Sequence, residues 1–566
     1  MFVKSIYQEL SDERKELQDK GLVPEWFATS GWQLLKAKYL TEKETNLKDI
    51  HLRISKYAAK YTKNPEYWQP KFFNILWNGW LAASTPVLAN MGAFRGCPVS
   101  CSGNAVGDNI YSFYDSQTEN AMLSKNGFGI SSYLGGIRPR GSTISNGGLA
   151  TGILPVLKDF VQLSRDITQG AQRRGAWAGY IEIDHDDFWE IITFLQNNPD
   201  DCNIGWNISN NFIERLNNGD EDAISRYQLA LKVKMLTGKG YFLFVDKINE
   251  MNPPCYKDQN MKVKASNLCT EISLFSDEDH TFSCVLSSMN LYKYDEWKNT
   301  DAVFTATVFL DCVAQDFIKL GSEIRGLEKT VRSTEKGRAL GLGALGFHSY
   351  LQKNMIPFDS IEAHMKNIEI FKYLNNESLK ASKWMAEEYG EPEWCKGYGL
   401  RNTHRLAVAP NTSSALICGG LSQGIEPVYK NIFVQGSAGG EINRINPILL
   451  KLMKEKNVYN DKNIKSIKDN QGSVQNVDWL TDDEKAVFKT AFEIDQKTII
   501  RLAATRQKYI DQGQSLNLFF AADEDEEYIS EVHQEAFSNP MIKALYYIRS
   551  ESGVQAAKGE CLACEG

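Results

Sequence analysis

Nowhere in the chain do about eighteen apolar residues run uninterrupted, so no membrane-spanning helix is expected. The first twenty residues also lack an apolar stretch, because Lys4, Glu9, Asp12, Glu13, Arg14 and Lys15 break them up. No stretch of signal-peptide kind is therefore expected in them. Basic excess is missing too. A formal net charge of -8 over 566 residues argues against a polynucleotide partner, although a small nucleotide needs only a local cradle of donors. Eleven cysteines without regular spacing exclude a secreted disulfide framework, and a reducing cytoplasm fits best. There are no internal repeats. What is present, 42% hydrophobic and 24% charged residues, is a soluble globular composition long enough for several domains or one large barrel.

Five residues stand out, Asn267-Leu268-Cys269-Thr270-Glu271. In an extended backbone Asn267, Cys269 and Glu271 share one face, about 7 Å apart, while Leu268 and Thr270 anchor the other. An amide, a thiol and a carboxylate in a row can bind a hydroxyl, do one-atom chemistry at sulfur and move a proton. The plainer alternative is a turn before a strand, with Cys269 as a small buried hydrophobe.

Residues 1–80 read as helical and aromatic-rich, with a cap at Ser11, a stop at Gly21 and Trp26, Phe27, Trp32, Trp68, Phe72, Phe73, Trp77 and Trp80 as core. Pro86-Val87-Leu88 suits the start of a buried strand. The Cys97-x3-Cys101 spacing lacks a second ligand pair, so no metal is expected there. Residues 108–148 are rich in glycine, with Lys125, Arg138 and Arg140 interspersed. Glycine loops with cations can wrap a phosphate. Helices are expected at 187–195 and 209–216, and Asp184-His185-Asp186-Asp187 reads as capping acids at a helix start rather than a metal site. Ser283-Cys284-Val285-Leu286 reads as a buried strand. Helices are expected over about 305–324, 340–353, 361–389 and 480–510. Gly341, Gly343 and Gly346 do not make a dinucleotide fingerprint, for want of a strand-turn-helix unit with a following acid. Ala407-Val408-Ala409 reads as a short strand leading into Pro410-Asn411-Thr412-Ser413-Ser414, whose N-H groups and hydroxyls at a helix start suit an anion. Residues 523–527 are an acidic, solvated patch. Leu545 to Arg549, with Tyr546-Tyr547, is strand-like. The polar end, Cys561-Leu562-Ala563-Cys564-Glu565-Gly566, suits disulfide exchange better than zinc.

Taken together, these blocks resemble the large subunits of class I ribonucleotide reductases over more than four-fifths of the chain, in particular the short forms found among bacteriophages. The resemblance implies a ten-stranded α/β barrel of two five-stranded halves with the Asn-x-Cys-x-Glu motif on a central finger loop. It implies a helical segment at 1–80, a catalytic barrel at 81–549 and a redox-active tail at 550–566. It also implies an enzyme that converts ribonucleoside diphosphates to 2'-deoxyribonucleotides for DNA synthesis.

By resemblance, Cys269 becomes a thiyl radical that takes the 3'-hydrogen, Glu271 accepts the 3'-OH proton and Asn267 orients the sugar hydroxyls. Cys101 and Cys284 supply two electrons and end as a disulfide, which Cys561 and Cys564 reduce. Tyr546 and Tyr547 form a radical relay. Thr85, Ser100 and Pro410 to Ser414 contact substrate. Asp108, Asn109, Ile110, Lys125, Arg138, Gln169, Arg173 and Arg174 match positions that bind an effector dNTP or ATP. Cys97 has no assignable role. The implied partners are a ferritin-like small subunit that supplies the radical, thioredoxin or glutaredoxin, and a second copy of the chain. No metal or resident cofactor is implied for this chain. One departure is that Cys101 lies too close to Met1 for the nucleotide-binding helical domain of longer relatives, so an overall dATP off-switch is not expected.

Two rivals stay open at this level. An adenosylcobalamin-dependent reductase has no use for Tyr546-Tyr547. A catalytically inert nucleotide-binding regulator has no use for the full set of five cysteines with Glu271.

Overall fold

The computed structural model describes residues 6–99, 101–167, 176–437 and 440–550. Four helices come first, α1 (Ile6–Asp19), α2 (Thr29–Lys38), α3 (Leu47–Ala59) and α4 (Pro65–Trp77). They pack through the expected aromatics: Trp32 and Phe27 are buried, and Trp68 stacks on Phe72 at 5.5 Å between centroids. Ser11 is not a cap, because α1 is already under way at Ile6. Gly21, at φ 65°, follows the helix end as expected.

The strands are β1 (Leu81–Ala83), β2 (Cys101–Ala105), β3 (Gly129–Tyr133), β4 (Trp177–Glu182), β5 (Asn203–Ile208), β6 (Tyr241–Phe244), β7 (Phe282–Asn290), β8 (Leu340–Leu345), β9 (Ile432–Ser437), β10 (Gly440–Ile445), β11 (Leu518–Phe520), β12 (Ala544–Leu545) and β13 (Ile548–Ser550). β2 to β6 pair in order, each parallel to the next. β7 pairs parallel with β8. From β8 the pairing continues through Leu342 and Leu406, then through Val408 and Gln514, and β11 lies parallel to β13. The two parallel sets meet antiparallel at β2–β7 and again at β6–β12. With segments 404–408, 512–520 and 544–550 each counted as one strand, ten strands return to their start. This is the expected barrel of two five-stranded halves.

Alternation along the strands separates inside from outside. Ala178, Tyr180, Tyr241 and Leu243 face a cluster with Leu268, Cys269, Tyr546 and Tyr547, while Trp177, Ile181, Phe242 and Phe244 join the main core against the helices. The interior is therefore filled by the loop that carries Cys269.

Several local expectations are corrected. Val87 and Leu88 lie in a short helix, α5 (Thr85–Asn90), where Pro86 occupies the first turn, the place in a helix that tolerates it. The stretch from 340 opens as β8, not helix. Leu340, Leu342 and Ala344 join the core while Gly341 and Gly343 face inward, and Gly346 at φ 78° turns the chain into a helix, Phe347–Lys353. A strand-turn-helix unit does exist there. β2 carries no local strand signal, because Cys-Ser-Gly-Asn-Ala has neither β propensity nor an apolar face, whereas Trp177–Glu182 and Tyr241–Phe244 carry β-favouring aromatics, and neither was expected as a strand. The glycine-rich stretch after Asp108 contains α6 (Ile110–Lys125) and β3. Asp187 precedes α8 (Phe188–Asn197) without capping it. Its carboxylate instead accepts from Ile153 N at 2.8 Å, the first residue of α7 (Ile153–Asp166), and from Arg140 N at 2.9 Å. No helix among the described residues is long and apolar enough to cross a membrane.

Candidate active site

The motif 267–271 is a tight turn rather than a pleated strand. Thr270 N donates to Asn267 O, and Thr270 sits at φ 68°, a conformation that costs a β-branched residue roughly 1–2 kcal/mol. The turn does what the pleat could not. It folds Asn267 back onto Glu271, with Asn267 Nδ2 to Glu271 Oε1 at 2.9 Å. The same amide nitrogen donates to Cys101 Sγ at 3.5 Å. A backbone anchor holds the turn: Tyr180 Oη donates to Asn267 O at 2.6 Å.

Cys101 and Cys284 face each other as register partners across β2 and β7. Both are buried, and Cys284 Sγ accepts from Gln512 Nε2 at 3.5 Å. Burial pushes the Cys284 thiol well above its usual range, so it rests protonated and able to give a hydrogen.

Burial raises Glu271 to about 7, against the opposing effect of its hydrogen bonds, so the carboxyl is poised to hold or release a proton near neutrality. Ser515 Oγ lies 2.9 Å from Glu271 Oε2 and also contacts Cys269 O. A serine has one proton for these two acceptors. When it goes to Cys269 O, the Glu271 proton itself must fill the bond to Ser515.

On the far side, Tyr546 Oη donates to Cys269 Sγ at 3.3 Å. Tyr546 and Tyr547 have ring centroids 4.0 Å apart, tilted by 46°. Successive strand residues normally point to opposite faces, so this contact requires the backbone to leave the pleat, and pairing lapses between β12 and β13. Tyr241 completes an aromatic triangle, at 5.1 Å from Tyr546 and 5.5 Å from Tyr547, with its hydroxyl donating to Tyr547 Oη at 3.2 Å. Asn203 Nδ2 reaches the same hydroxyl at 3.4 Å.

The other expected residues divide. Asn411 meets the end of β7, where Ser288 Oγ donates to Asn411 Oδ1 at 2.8 Å, whereas the Thr85 hydroxyl, two residues beyond the Ala83–Ser287 pair, shares a hydrogen bond with Tyr39 Oη at 2.9 Å. With its side chain taken by Ser288, Asn411 does not cap the helix Thr412–Ile417. The first N-H groups of that helix have no acceptor within it. Thr412 Oγ1 bonds to Gln423, and Pro410 and Ser413 are half-buried while Ser414 is buried. Arg138 and Asp108 form an ion pair at 2.6 Å. Asn109 caps α6 and Ile110 begins it, but exposed Lys125 is at the other end of that sixteen-residue helix, about 24 Å away. One chain does not bring Lys125 to the pair. Ser100, Gln169, Arg173, Arg174, Cys561 and Cys564 lie outside the described residues. Among the described residues, no group of three His, Cys, Asp or Glu could hold a metal ion.

Sequence reasoning missed Tyr180, Tyr241, Gln512 and Ser515. The polar run Asp511-Gln512-Gly513-Gln514-Ser515 was the available signal for two of them. Gly513 N donates to Glu271 O at 2.7 Å, and a Cβ on Gly513 would stand 3.0 Å from that same oxygen. A side chain there would press on the backbone of the turn, and glycine lets the strand lie this close.

Comparison with known proteins agrees with the geometry. Residues 99–228, 222–397 and 393–548 match the family model of the ribonucleotide reductase barrel domain, and residues 25–96 match that of the all-alpha domain. The chain is 38% identical to the solved Actinobacillus ureae class Id ribonucleotide reductase alpha subunit, with a TM-score of 0.87 covering 95% of this chain and 99% of that one. It is 29% identical to the ribonucleoside-diphosphate reductase large subunit of Invertebrate iridescent virus 3, over 95% of this chain and 98% of the relative. The corresponding Monkeypox virus subunit is 28% identical, over 85% and 72% respectively.

Proposed function

The chain belongs to the ribonucleotide reductase large-subunit family, and from that premise we propose that it reduces ribonucleoside diphosphates at the 2' carbon, with Cys269 as the radical-bearing thiol. The carrying observation is a pair of contact lines, from Tyr547 through Tyr546 to Cys269 and from Asn267 to both Glu271 and Cys101, joined by Ser515, which touches Cys269 O and Glu271.

In this reading a thiyl radical at Cys269 takes the 3'-hydrogen. Glu271 takes the 3'-OH proton, which a carboxyl near neutrality can do. Asn267, donating to the groups on both sides, orients the sugar between them. Cys101 protonates the departing 2'-OH, and Cys101 with Cys284 gives two electrons and closes to a disulfide. Ser288 lies four residues beyond Cys284 on β7, roughly 13 Å along the strand. That separation supports sugar binding at the thiols and diphosphate binding at Pro410 to Ser414.

A small subunit of ferritin type supplies the radical to Tyr547, and thioredoxin or glutaredoxin resets the thiols. Effector nucleoside triphosphate binds by Asp108 and Arg138. Ile110, Tyr111 and Tyr114, exposed at 73%, 80% and 60%, make an apolar stripe on α6 suited to a second copy of the chain.

The test is reconstitution. Turnover of a ribonucleoside diphosphate is measured with a ferritin-like partner, an effector and a dithiol reductant, for wild type and for Cys269→Ala. Product from wild type only, with effector affinity unchanged in the variant, is expected. Wild-type rates from Cys269→Ala, or turnover with adenosylcobalamin and no partner, would overturn the assignment.

A further inference from the structure

Two thiols outside the proposed chemistry touch each other. Cys255 lies in the short helix Pro254–Asp258, and Cys395 ends the 3-10 turn Glu393–Cys395. The two thiols lie close enough to act on each other, Cys395 shifting the Cys255 thiol down and being shifted up in return. The backbone holds them in register: Gln259 Nε2 donates to Cys255 O at 2.8 Å and to Trp394 O at 3.0 Å. Tyr256 meets Trp394 edge-on at 6.2 Å. Each turn thus presents a cysteine to the other from a clamped position.

Both cysteines are buried. Pro254, Lys257, Lys396 and Gly397 beside them are exposed. A surface cleft of about 650 Å³, lined by Glu391, Lys396 and Tyr398 among others, runs past the Cys395 turn. The cleft brings solvent up to Lys396, the residue next to Cys395.

We propose that Cys255 and Cys395 are a second redox dithiol, which peroxide closes to a disulfide that staples the stem of the Cys269 loop to the 393–398 segment. The stem assignment follows from the contacts of the helix. Tyr256 Oη accepts from Phe275 N at 3.4 Å, beyond the turn at 267–271, and its ring meets His404, at the start of a barrel strand, at 4.7 Å.

The chemistry divides between the two sulfurs. The Cys395 thiol beside it lowers the Cys255 thiol below its usual range, which favours the nucleophilic thiolate there. Burial pushes Cys97, Cys202 and Cys418 up to about 12, as for inert core thiols. The Cys255 thiolate attacks one peroxide oxygen, giving a sulfenic acid and hydroxide. The Cys395 sulfur then attacks the sulfenic sulfur, and the second oxygen leaves as hydroxide. The two thiol protons convert both hydroxides to water. Two thiols lose two electrons, and one hydrogen peroxide gains them.

The experiment treats the full-length, fully reduced protein with hydrogen peroxide, blocks remaining thiols, and maps peptides without reductant. A peptide containing Cys255 linked to one containing Cys395, released by dithiothreitol and absent from Cys395→Ser, is expected. Hydrogen exchange across 256–275 should slow by about tenfold in the oxidised wild type, because the linked stem opens less often, and should not slow in the variant. If Cys395→Ser does not fold, Cys255→Ser takes its place. Recovery of both cysteines as free thiols, or of Cys255 as an unlinked sulfinic acid, overturns the dithiol. A linked peptide with unchanged exchange overturns the staple.

Discussion

Glu271 is the residue whose chemistry depends most on where it is held. Burial raises it from 4.5 to about 7, so a step that uses the carboxylate should accelerate as pH rises through about 7. The sign for stability is opposite. A carboxyl with a folded pKa above its unfolded value favours the protonated folded state. Its contribution is fully present below about 4.5 and is lost as pH rises through 7, a difference of about 3 kcal/mol. Glu271→Gln should lower turnover by about 10²–10⁴-fold and flatten the fall in stability between pH 5 and 8 in denaturant titrations. A variant as pH-dependent as wild type would reject this account. Ser515→Ala removes a hydrogen bond that opposes the burial effect, so the acid limb of its pH–rate profile should move to higher pH. Tyr546→Phe keeps the ring and loses the hydroxyl on Cys269. Turnover should fall severely while nucleotide binding stays, whereas a purely packing role predicts near-normal rates.

At the scale of elements, the inward glycines of β8 set how closely the strands around Cys284 approach. A Cβ on Gly341 would stand 2.8 Å from Cys284 Sγ and 2.5 Å from Leu286 Cδ2. Gly341→Ala should therefore cost about 1–3 kcal/mol in unfolding free energy, the usual range for an overpacked interior. It should also slow thiol exchange between Cys284 and Cys101 by moving one sulfur. Unchanged stability with an unchanged exchange rate would show that the strand yields without consequence. The three residues Leu340, Gly341 and Leu342 also show why β8 was read as helix. Leucine is a good helix former, and its two-residue spacing here is too short a run to display a period.

At the scale of the whole molecule, closing the barrel decides what can reach the thiols. Cys101 is 7% exposed and Cys284 not at all, so under the proposed chemistry a folded reductant cannot meet them directly and a small or flexible dithiol has to carry the electrons. Replacing both Cys561 and Cys564 by Ala should spare one turnover and block repeated turnover driven by thioredoxin. Dithiothreitol, small enough to enter, should partly restore it. Loss of the first turnover as well would give the tail a role beyond exchange.

The motifs at 267–271, 410–414 and 546–547 and the isolated Cys101 and Cys284 were picked out through the family resemblance, because each by itself reads equally well as a turn, a capped helix, strand aromatics or a core thiol. The N-terminal helices and the long helix Ile361–Tyr389 were legible because a 3.6-residue period repeats often enough along them to be seen. The tertiary structure alone decided that Asn267 turns back onto Glu271, that Tyr180 and Tyr241 line the site, and that Ser515 and Gln512 complete it. The Asn267–Glu271 contact spans four residues but needs the turn at Thr270 that Tyr180 and Ser515 hold, and the other contacts join residues 87 to 306 positions apart, about which local pattern holds no information. The barrel itself was hidden for a related reason. Its strands face helices on one side and the finger loop on the other, so the inner face of Cys-Ser-Gly-Asn-Ala is matched to Asn267 of that loop rather than to a helix. Only when the two parallel halves meet antiparallel at β2–β7 and β6–β12 does that small, polar lining acquire a partner, and with it a physical reason to be a strand.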